Sequence, residues 1–217
     1  MHQNDKKFQV AQNVIEMIES GTLLGVGSGS TVNIFIELLV QIKSKIDACV
    51  SSSEMTTKLL KSKGFNVIEL REAGKIPLYV DGADEANTHR QLIKGGGGAL
   101  TREKILADSS DKFTCIIDDS KYVKMLGKFP LPIEVISIAQ SKIALEMIKL
   151  GGRPVLRENF ITDNGNVILD VHDLKIEQPI DMEKKINNIP GVVTNGLFSI
   201  RPADKLLISD GNKVIDI

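Results

Sequence analysis

Short apolar runs alternate with amphipathic helical stretches through the first 118 residues of this 217-residue chain. The candidate strands are TLLGVG (22–27), ACVSSS (48–53), FNVIEL (65–70), IPLYV (76–80) and FTCIID (113–118). Helices are predicted at 6–20, from SGST to about residue 46, at 54–63 and at 99–107. Buried strands separated by helices form a parallel sheet that is covered on both faces. The sequence therefore predicts an α/β domain.

The first predicted helix has an apolar stripe that should face this sheet. Phe8, Ala11, Ile15 and Ile18 recur at helical spacing, and Gly21 is placed to end the helix.

The pattern changes near residue 128, where KFPLPIEVI carries two prolines. A helix is predicted over 140–150, and ITDNGNVILDVHD alternates about DNGN, which is typical of a β-hairpin. A helix near 181–187 and a strand in GVVTNGLFSI complete a strand–helix–hairpin–helix–strand unit. These elements predict a small α+β domain with an antiparallel sheet. The final runs KLLIS and KVIDI are expected to return to the first domain as edge strands.

Composition excludes several classes of function. With 42% hydrophobic and 25% charged residues, the chain resembles an ordinary globular protein. Its net charge of −1 and its lack of Trp argue against a nucleic-acid partner. No stretch approaches the ~18 apolar residues of a membrane span, and no signal sequence is evident, so we expect a cytoplasmic protein without a membrane partner.

The cysteines and histidines predict no metal site. Cys49 and Cys115 each lie in an apolar run, and we expect buried free thiols rather than a disulfide or a nucleophile. No Cys/His spacing resembles a zinc site.

The segment GVGSGST (25–31) lies between a predicted strand and a predicted helix. Its small residues let backbone N–H groups approach an anion, with the hydroxyls of Ser28, Ser30 and Thr31 as further donors. It lacks the Gly-Lys-Ser/Thr of a Walker loop, and Ser30 stands where the dinucleotide fingerprint has its last glycine. Two interpretations stay open: a phosphate-binding loop, or a tight turn capped by Ser30 or Thr31.

The segment YVDGADE places Asp81 at the carboxyl end of an apolar strand, where open α/β sheets bind ligands. Gly82 and Ala83 leave room, and Asp84 and Glu85 follow. The segment is compatible with catalytic carboxylates, with a Mg²⁺ site or with a solvated acidic loop.

The segment KGGGGALTREK (94–104) contains four consecutive glycines, the residue type that loses most backbone entropy on folding. A helix that starts near Ala99 places Glu103 on one arc with Leu106 and Ala107. A carboxylate on this apolar face suits a general base, although the helix dipole also favours glutamate in a first turn. The glycines then form a close-approach loop, in which Lys94 faces an anion.

Lys121 follows the strand FTCIID and so lies at the same rim of the sheet. A single lysine there is usually a solvated charge. Together, however, the three loops offer an anion cradle, paired carboxylates, and a lysine with a glutamate on an apolar face. This combination predicts a small phosphorylated substrate and proton-transfer chemistry.

These segments resemble ribose-5-phosphate isomerase, type A. The family's hallmarks occur in order as GSGST (27–31), DGADE (81–85) and KGGGGALTREK (94–104). The likeness extends over nearly the whole chain through SK (120–121), LGKFPLP (126–132), GGRP (151–154) and TDNGN (162–166). It departs from the family only slightly, with Ser28 where threonine is common and Gly98 where alanine is common.

The resemblance implies reversible interconversion of D-ribose 5-phosphate and D-ribulose 5-phosphate through an enediolate, in the pentose phosphate pathway, without metal or cofactor. It implies a Rossmann-like catalytic domain, residues 1–127 plus 205–217. It also implies a smaller ferredoxin-like α+β domain, residues 128–204, which serves as a lid and in oligomer contacts. A cytoplasmic homodimer is the expected assembly.

Carried over residue by residue, the resemblance makes Glu103 the base that moves a proton between C2 and C1. Asp81 handles proton transfers on the sugar oxygens, including ring opening. Asp84, Lys94 and the backbone of Gly95, Gly96 and Gly97 position the substrate and stabilise the enediolate. The other predicted substrate-binding residues are Ser28, Gly29, Ser30, Thr31, Gly82, Ala83 and Lys121, with Lys7 as a further phosphate candidate.

Three rival functions fit parts of the sequence. A non-catalytic sugar-phosphate sensor would bind ligand without turnover. A metal-dependent phosphatase built on DGADE would lose activity in chelator. A nucleotide-binding protein should have an acidic ribose partner about 20 residues after the glycine loop, where only Asp47 is available.

Overall fold

The computed structural model describes residues 2–217. The helices are α1 (Gln3–Glu16), α2 (Ser30–Leu39), α3 (Glu54–Ser62), α4 (Leu70–Ala73), α5 (Leu100–Asp108), α6 (Gln140–Lys149) and α7 (Pro179–Asn187). The strands are β1 (Thr22–Val26), β2 (Ile46–Ser51), β3 (Ile76–Asp81), β4 (Glu85–Ala86), β5 (Leu92–Ile93), β6 (Ser110–Asp118), β7 (Leu131–Val135), β8 (Arg153–Leu156), β9 (Val167–His172), β10 (Val192–Asn195), β11 (Leu197–Phe198), β12 (Lys205–Ser209) and β13 (Val214–Asp216). Short 3₁₀ segments lie at Val40–Lys45, Asp119–Lys121 and Ser137–Ala139. Among the described residues, no helix is both long and apolar enough to cross a membrane.

The chain folds into two compact units. The first contains the residues up to Ala83, then Arg102–Tyr122 and Ala203–Ile217. The second contains Asp84–Thr101 and Val123–Pro202. Asp84–Thr101 belongs with the second unit because β4 and β5 form a three-stranded sheet with β11.

The first unit is built on a six-stranded sheet in the order β13-β12-β6-β3-β1-β2. Neighbouring strands are parallel except for β13, which runs antiparallel to β12. The chain passes from β1 to β2 on one side and then to β3 on the other, so the order reverses at β1. Ligands of open α/β sheets bind beyond the carboxyl ends of the strands at such a reversal. This is the edge at which β1, β3 and β6 end.

Helices α1 and α2 bury apolar side chains in one core with the six-stranded sheet. Val10 and Val14 of α1 and Phe35 of α2 are fully buried there. The predicted stripe of α1 was partly wrong, because Phe8 is 45% exposed. The helix spans Gln3–Glu16, so it ends well before Gly21, and its buried residues are Val10, Ala11 and Val14.

The second unit contains the predicted strand–helix–hairpin–helix–strand order, as β7-α6-β8-β9-α7-β10. Its four-stranded sheet is antiparallel in the order β10-β7-β9-β8, which is the ferredoxin-like arrangement. Leu131, Ile133 and Leu169 of the sheet share a core with Ile143 of α6 and Ile186 of α7. The α/β and α+β expectations are thus confirmed.

Two predicted strands differ in the structure. FNVIEL forms only an isolated bridge, Val67 to Cys49, because the chain leaves the edge of β2 to enter α4. GVVTNGLFSI is split at Gly196 into β10 and β11, which belong to different sheets. A Cβ at Gly196 would lie 2.3 Å from the carbonyl oxygen of Lys94, so the backbone can pass there only without a side chain.

The hairpin and the C-terminal strands also differ in detail. The strand that pairs with β9 is β8, and the DNGN turn lies in the longer connection 157–166 rather than forming a tight hairpin. Of the two C-terminal runs, β13 is an edge strand as predicted, but β12 lies inside the sheet between β6 and β13.

Both cysteines are free and buried, as predicted. Burial raises the pKa of the Cys49 thiol to about 12, because an apolar environment disfavours the thiolate. The unfolded chain loses this proton above about pH 8.5, so the free energy of unfolding should fall as the pH rises from there towards 12.

We therefore expect native protein at pH 8 to react very slowly with a thiol-specific disulfide reagent, because only the thiolate reacts. The same assay after denaturation should detect both thiols. Rapid stoichiometric labelling of the native protein would contradict the burial of these side chains.

Candidate functional site

The predicted site residues are found in both compact units. The first unit holds Ser28, Gly29, Ser30, Thr31, Asp81, Gly82, Ala83, Glu103 and Lys121, and the second holds Asp84, Lys94, Gly95, Gly96 and Gly97.

Asp81, the last residue of β3, is fully buried and surrounded by donors. Its Oδ1 accepts hydrogen bonds from the backbone N–H groups of Ser28, at 3.0 Å, and of Gly82, at 2.7 Å. Its Oδ2 accepts a short hydrogen bond from the hydroxyl of Tyr79. Burial, and then the charges of Asp81 and Glu103, raise the pKa of Tyr79 well above its ordinary value, so this hydroxyl remains a donor.

The surroundings of Gly27 explain why a residue without a side chain follows β1. A Cβ at this position would lie 1.9 Å from the carboxyl carbon of Asp81, so the aspartate could not keep its position. The glycine therefore makes room for the aspartate, and Thr56 holds the loop by donating its hydroxyl to the Gly27 carbonyl at 2.9 Å.

Glu103 lies on the buried face of α5, as predicted, with 3% of its surface exposed. The hydroxyl of Ser28 donates to its Oε1 at 2.6 Å. Because the N–H of Ser28 is bound to Asp81, one residue contacts two buried carboxylates. A carboxylate removed from water and held by a hydroxyl is suited to accept and return a proton.

The GVGSGST loop ends at the N-terminus of α2. The N-cap is Gly29, at φ +95°, and no side chain caps the helix, so the alternative of a Ser30 or Thr31 cap is not supported. Uncapped N–H groups and the helix dipole favour an anion at this end. Lys7 adds a positive charge there, since its Nζ donates to the Ser30 hydroxyl at 2.9 Å.

Lys121 ends the short 3₁₀ turn that follows β6. Asp118 caps this turn by accepting from the N–H of Ser120 at 3.1 Å. Lys121 is partly buried, within the first unit.

In the second unit, the small sheet of β4, β5 and β11 brings Asp84 and Lys94 to one end. The N–H of Asp84 donates to the carbonyl of Ile93 at 2.9 Å, and Asp84 Oδ2 accepts from the N–H of Gly96 at 2.7 Å. Lys94 is 3% exposed, with its ammonium 5.7 Å from the ring centroid of Phe198. An ammonium largely removed from water interacts strongly with a developing negative charge.

The glycine run is required for different reasons at different positions. Gly95 and Gly98 have φ of +102° and +87°, which other residues rarely adopt. A Cβ on Gly96 would lie 2.7 Å from Asp84 Oδ1, and one on Gly98 would lie 2.1 Å from the Phe160 ring. Gly97 has open space around it, so its backbone is accessible to a ligand.

The acidic residues of DGADE do not form a metal cage. Glu85 is buried and accepts from the N–H groups of Gly127, at 2.8 Å, and Phe129, at 2.6 Å, so its role is structural. Within residues 2–217, no three His, Cys, Asp or Glu side chains are grouped so that they could hold a metal ion.

Sequence reasoning gave no individual role to four residues that shape these sites: Tyr79, Gly27, Glu134 and Arg157. Tyr79 lies two residues before Asp81 in β3 and so shares a face with it, which is a signal that the sequence contained. The partners of Glu134 and Arg157 are far away in the chain, and no local pattern indicates them.

The fold and these side chains define an enzyme of the α/β class that is suited to proton transfer on a small anionic substrate. Comparison with known proteins identifies its family. The model of the family ribose 5-phosphate isomerase A (phosphoriboisomerase A) matches residues 48–213. The chain belongs to this family.

Known relatives match the chain over its whole length. Ribose-5-phosphate isomerase A of Francisella tularensis subsp. tularensis (strain WY96-3418) is 54% identical, over 99% of this chain and 96% of the relative. The crystal structure of ribose 5 phosphate isomerase A from Neisseria gonorrhoeae is 43% identical, with a TM-score of 0.97, over 100% of this chain and 97% of that one. A D-ribose-5-phosphate isomerase in complex with phospho-erythronic acid is 35% identical, with a TM-score of 0.96, over 100% of this chain and 99% of that one.

We expect Ser28→Ala to lower kcat about 10- to 100-fold, because a hydrogen bond to a charged group contributes about 1.5–3 kcal/mol. Ser28→Thr keeps the hydroxyl and should retain activity within about threefold. Steady-state kinetics with ribose 5-phosphate tests both variants. Equal activity of the alanine and threonine variants would show that the contact with Glu103 is not needed.

Proposed function

We propose that this chain interconverts D-ribose 5-phosphate and D-ribulose 5-phosphate through an enediolate, in the non-oxidative pentose phosphate pathway. Membership of the ribose 5-phosphate isomerase A family supports the reaction. The structural observation that carries the proposal is the buried Glu103 carboxylate, which the Ser28 hydroxyl holds at 2.6 Å.

The reaction requires one base that serves two neighbouring carbons. In the open-chain aldose, Glu103 removes the proton from C2, and the electrons form an enediolate whose negative charge develops on O1. Return of the same proton to C1, with transfer of the O2 proton to O1, yields the ketose. Since Glu103 is 3% exposed, little water competes for the proton between the two steps.

Asp81 is assigned to the proton transfers on the sugar oxygens, including the opening of the ring. Its two oxygens accept from Ser28, Gly82 and Tyr79, so the carboxylate is fixed in position. Gly82 and Ala83 follow it in the chain and are assigned to the substrate surface.

The phosphate group is assigned to the N-terminus of α2. The residues proposed to hold it are Gly29, Ser30, Thr31 and Lys121, with Lys7 as a further candidate. Ser28 is assigned to the substrate surface beside them, because its N–H and its hydroxyl already donate to Asp81 and Glu103. The contact of Lys7 with Ser30, at 2.9 Å, supports its inclusion.

Asp84, Lys94 and the backbone of Gly95, Gly96 and Gly97 are assigned to the same reaction from the second unit. Lys94 would stabilise the enediolate oxygen, because a buried ammonium acts most strongly on a charge that develops in the transition state. Asp84 would bind a sugar hydroxyl. Its Oδ2 also accepts a hydrogen bond from the N–H of Gly96, which fixes the loop.

We also propose that the protein is a cytoplasmic homodimer. Buried free thiols support a reducing compartment. Ile138, Leu145 and Ile148 in and before α6 are 95%, 60% and 56% exposed, and such apolar surface is typical of an interface between subunits.

We expect Glu103→Gln to keep the fold and substrate binding but to lower kcat at least ~100-fold, because the amide cannot accept the proton. The measurement is a coupled assay of ribose 5-phosphate conversion with EDTA present, comparing wild type and variant. Near-normal turnover of the variant would refute the assignment of the base. Loss of wild-type activity in EDTA would instead favour a metal-dependent reaction.

We expect Lys94→Ala to lower kcat more than it raises KM, because an interaction made only in the transition state affects the rate of the chemical step. The same coupled assay, run over a range of substrate concentrations, separates the two parameters. A pure increase in KM would make Lys94 an anchor for the bound substrate instead.

A further inference from the structure

The connection between β8 and β9, residues 157–166, contacts the glycine loop, residues 94–98, within the second unit. Arg157 Nη1 donates to the carbonyl oxygens of Gly95, at 3.2 Å, and Gly96, at 3.1 Å. The ring of Phe160 fills the space where a side chain at Gly98 would lie. The connection therefore holds the glycine loop at both ends.

Arg157 is itself held in a fixed orientation. Its Nε and Nη2 donate to the two carboxylate oxygens of Asp170 in β9, at 2.9 Å and 2.6 Å. The two side chains are 17% and 20% exposed, and the guanidinium lies 5.3 Å from the ring centroid of Phe160. Such a bidentate pair fixes direction as well as distance, so the remaining nitrogen, Nη1, points at the glycine loop.

The network around Glu134 fixes the rest of the connection. Glu134 is fully buried in β7, and Thr162, Asn164 and Asn166 all donate to its carboxylate, at 2.9 Å, 3.1 Å and 2.8 Å in their shortest contacts. Thr101, at the start of α5, makes a further short hydrogen bond to it. The segment that carries Arg157 is thus anchored to the sheet.

The two carbonyl contacts determine where the N–H groups of the loop point. In a trans peptide the C=O and N–H bonds point in opposite directions. Since one nitrogen of Arg157 binds the carbonyls of Gly95 and Gly96, the N–H groups of Gly96 and Gly97 are directed to the other side. Asp84 accepts the first of these, at 2.7 Å. Within residues 2–217, the N–H of Gly97 has no acceptor, and Gly97 is exposed.

We infer that Arg157 is a positioning residue for the isomerase reaction. By fixing two carbonyls, it orients the Gly97 N–H to donate to the oxygen on which negative charge develops in the enediolate. The inference rests on the proposed function and adds to it the residue that orients the backbone donor. Asp170 acts indirectly, because it fixes the guanidinium of Arg157.

The test uses Arg157→Lys, because lysine keeps the charge but cannot form the planar fork that reaches Asp170 and both carbonyls. We expect kcat to fall about 10- to 100-fold with KM changed less than about threefold, as for a misplaced oxyanion donor. Inhibition by phospho-erythronic acid, whose carboxylate presents two anionic oxygens, should weaken by a similar factor. Inhibition by inorganic phosphate should be unchanged, because the phosphate end is assigned to α2.

Two further variants make the result specific. Arg153→Lys alters a comparable pair on β8, since Arg153 Nε lies 3.1 Å from Asp173, but those side chains are 62% and 72% exposed. This control should match wild type. Asp170→Asn keeps Arg157 but removes the charge that fixes its guanidinium, so this variant should also lower kcat, as Arg157→Lys does. It also provides the test if Arg157→Lys does not fold, as judged by thermal unfolding.

Unchanged kcat and unchanged phospho-erythronic acid inhibition in the folded Arg157 and Asp170 variants would overturn the inference. Equal weakening of phosphate and phospho-erythronic acid would also overturn it, because that result indicates a general loss of structure. In both cases wild-type turnover of ribose 5-phosphate would leave the proposed function standing. If the wild type does not convert ribose 5-phosphate, the proposed function fails and the inference fails with it.

Discussion

Ser28 makes the two hydrogen bonds on which the first unit's site depends. Its backbone N–H binds Asp81 and its hydroxyl binds Glu103, at 3.0 Å and 2.6 Å. Two carboxylates that share a donor repel each other. A donor placed between them offsets this repulsion. The position of Ser28 is itself fixed, because it follows a strand whose neighbour in the sheet ends in Asp81.

The same physical device occurs twice in the molecule. Gly27 lies against the carboxylate of Asp81, and Gly96 lies against that of Asp84, and in each case a Cβ would collide with the carboxylate. A bare backbone allows the carboxylate to approach closely, and in both loops a nearby N–H then donates to it. At both positions glycine is needed because its missing side chain leaves room for a carboxylate, and not because it is flexible.

Much of this arrangement could be predicted from the sequence, and the exceptions have clear physical reasons. The alternation of apolar runs and helices gave the α/β sheet, and the helical arc of Leu106 and Ala107 placed Glu103 on the buried face. FNVIEL has the composition of a strand, but pairing depends on the free edge of β2, which local sequence does not encode. Arg157 contacts carbonyls more than 60 residues away, and only the folded sheet brings them together.

The turn that carries Asn164 has a consequence for the lifetime of the molecule. Asn164 is followed by Gly165, and an asparagine before glycine loses its amide nitrogen most readily, because no side chain hinders the attack of the next backbone nitrogen. Its side-chain nitrogen now donates to Glu134 at 3.1 Å. Deamidation would replace that donor with a carboxylate and place a second negative charge next to the buried Glu134. Chemical ageing at one surface turn would thus weaken the network that anchors the segment beside the glycine loop.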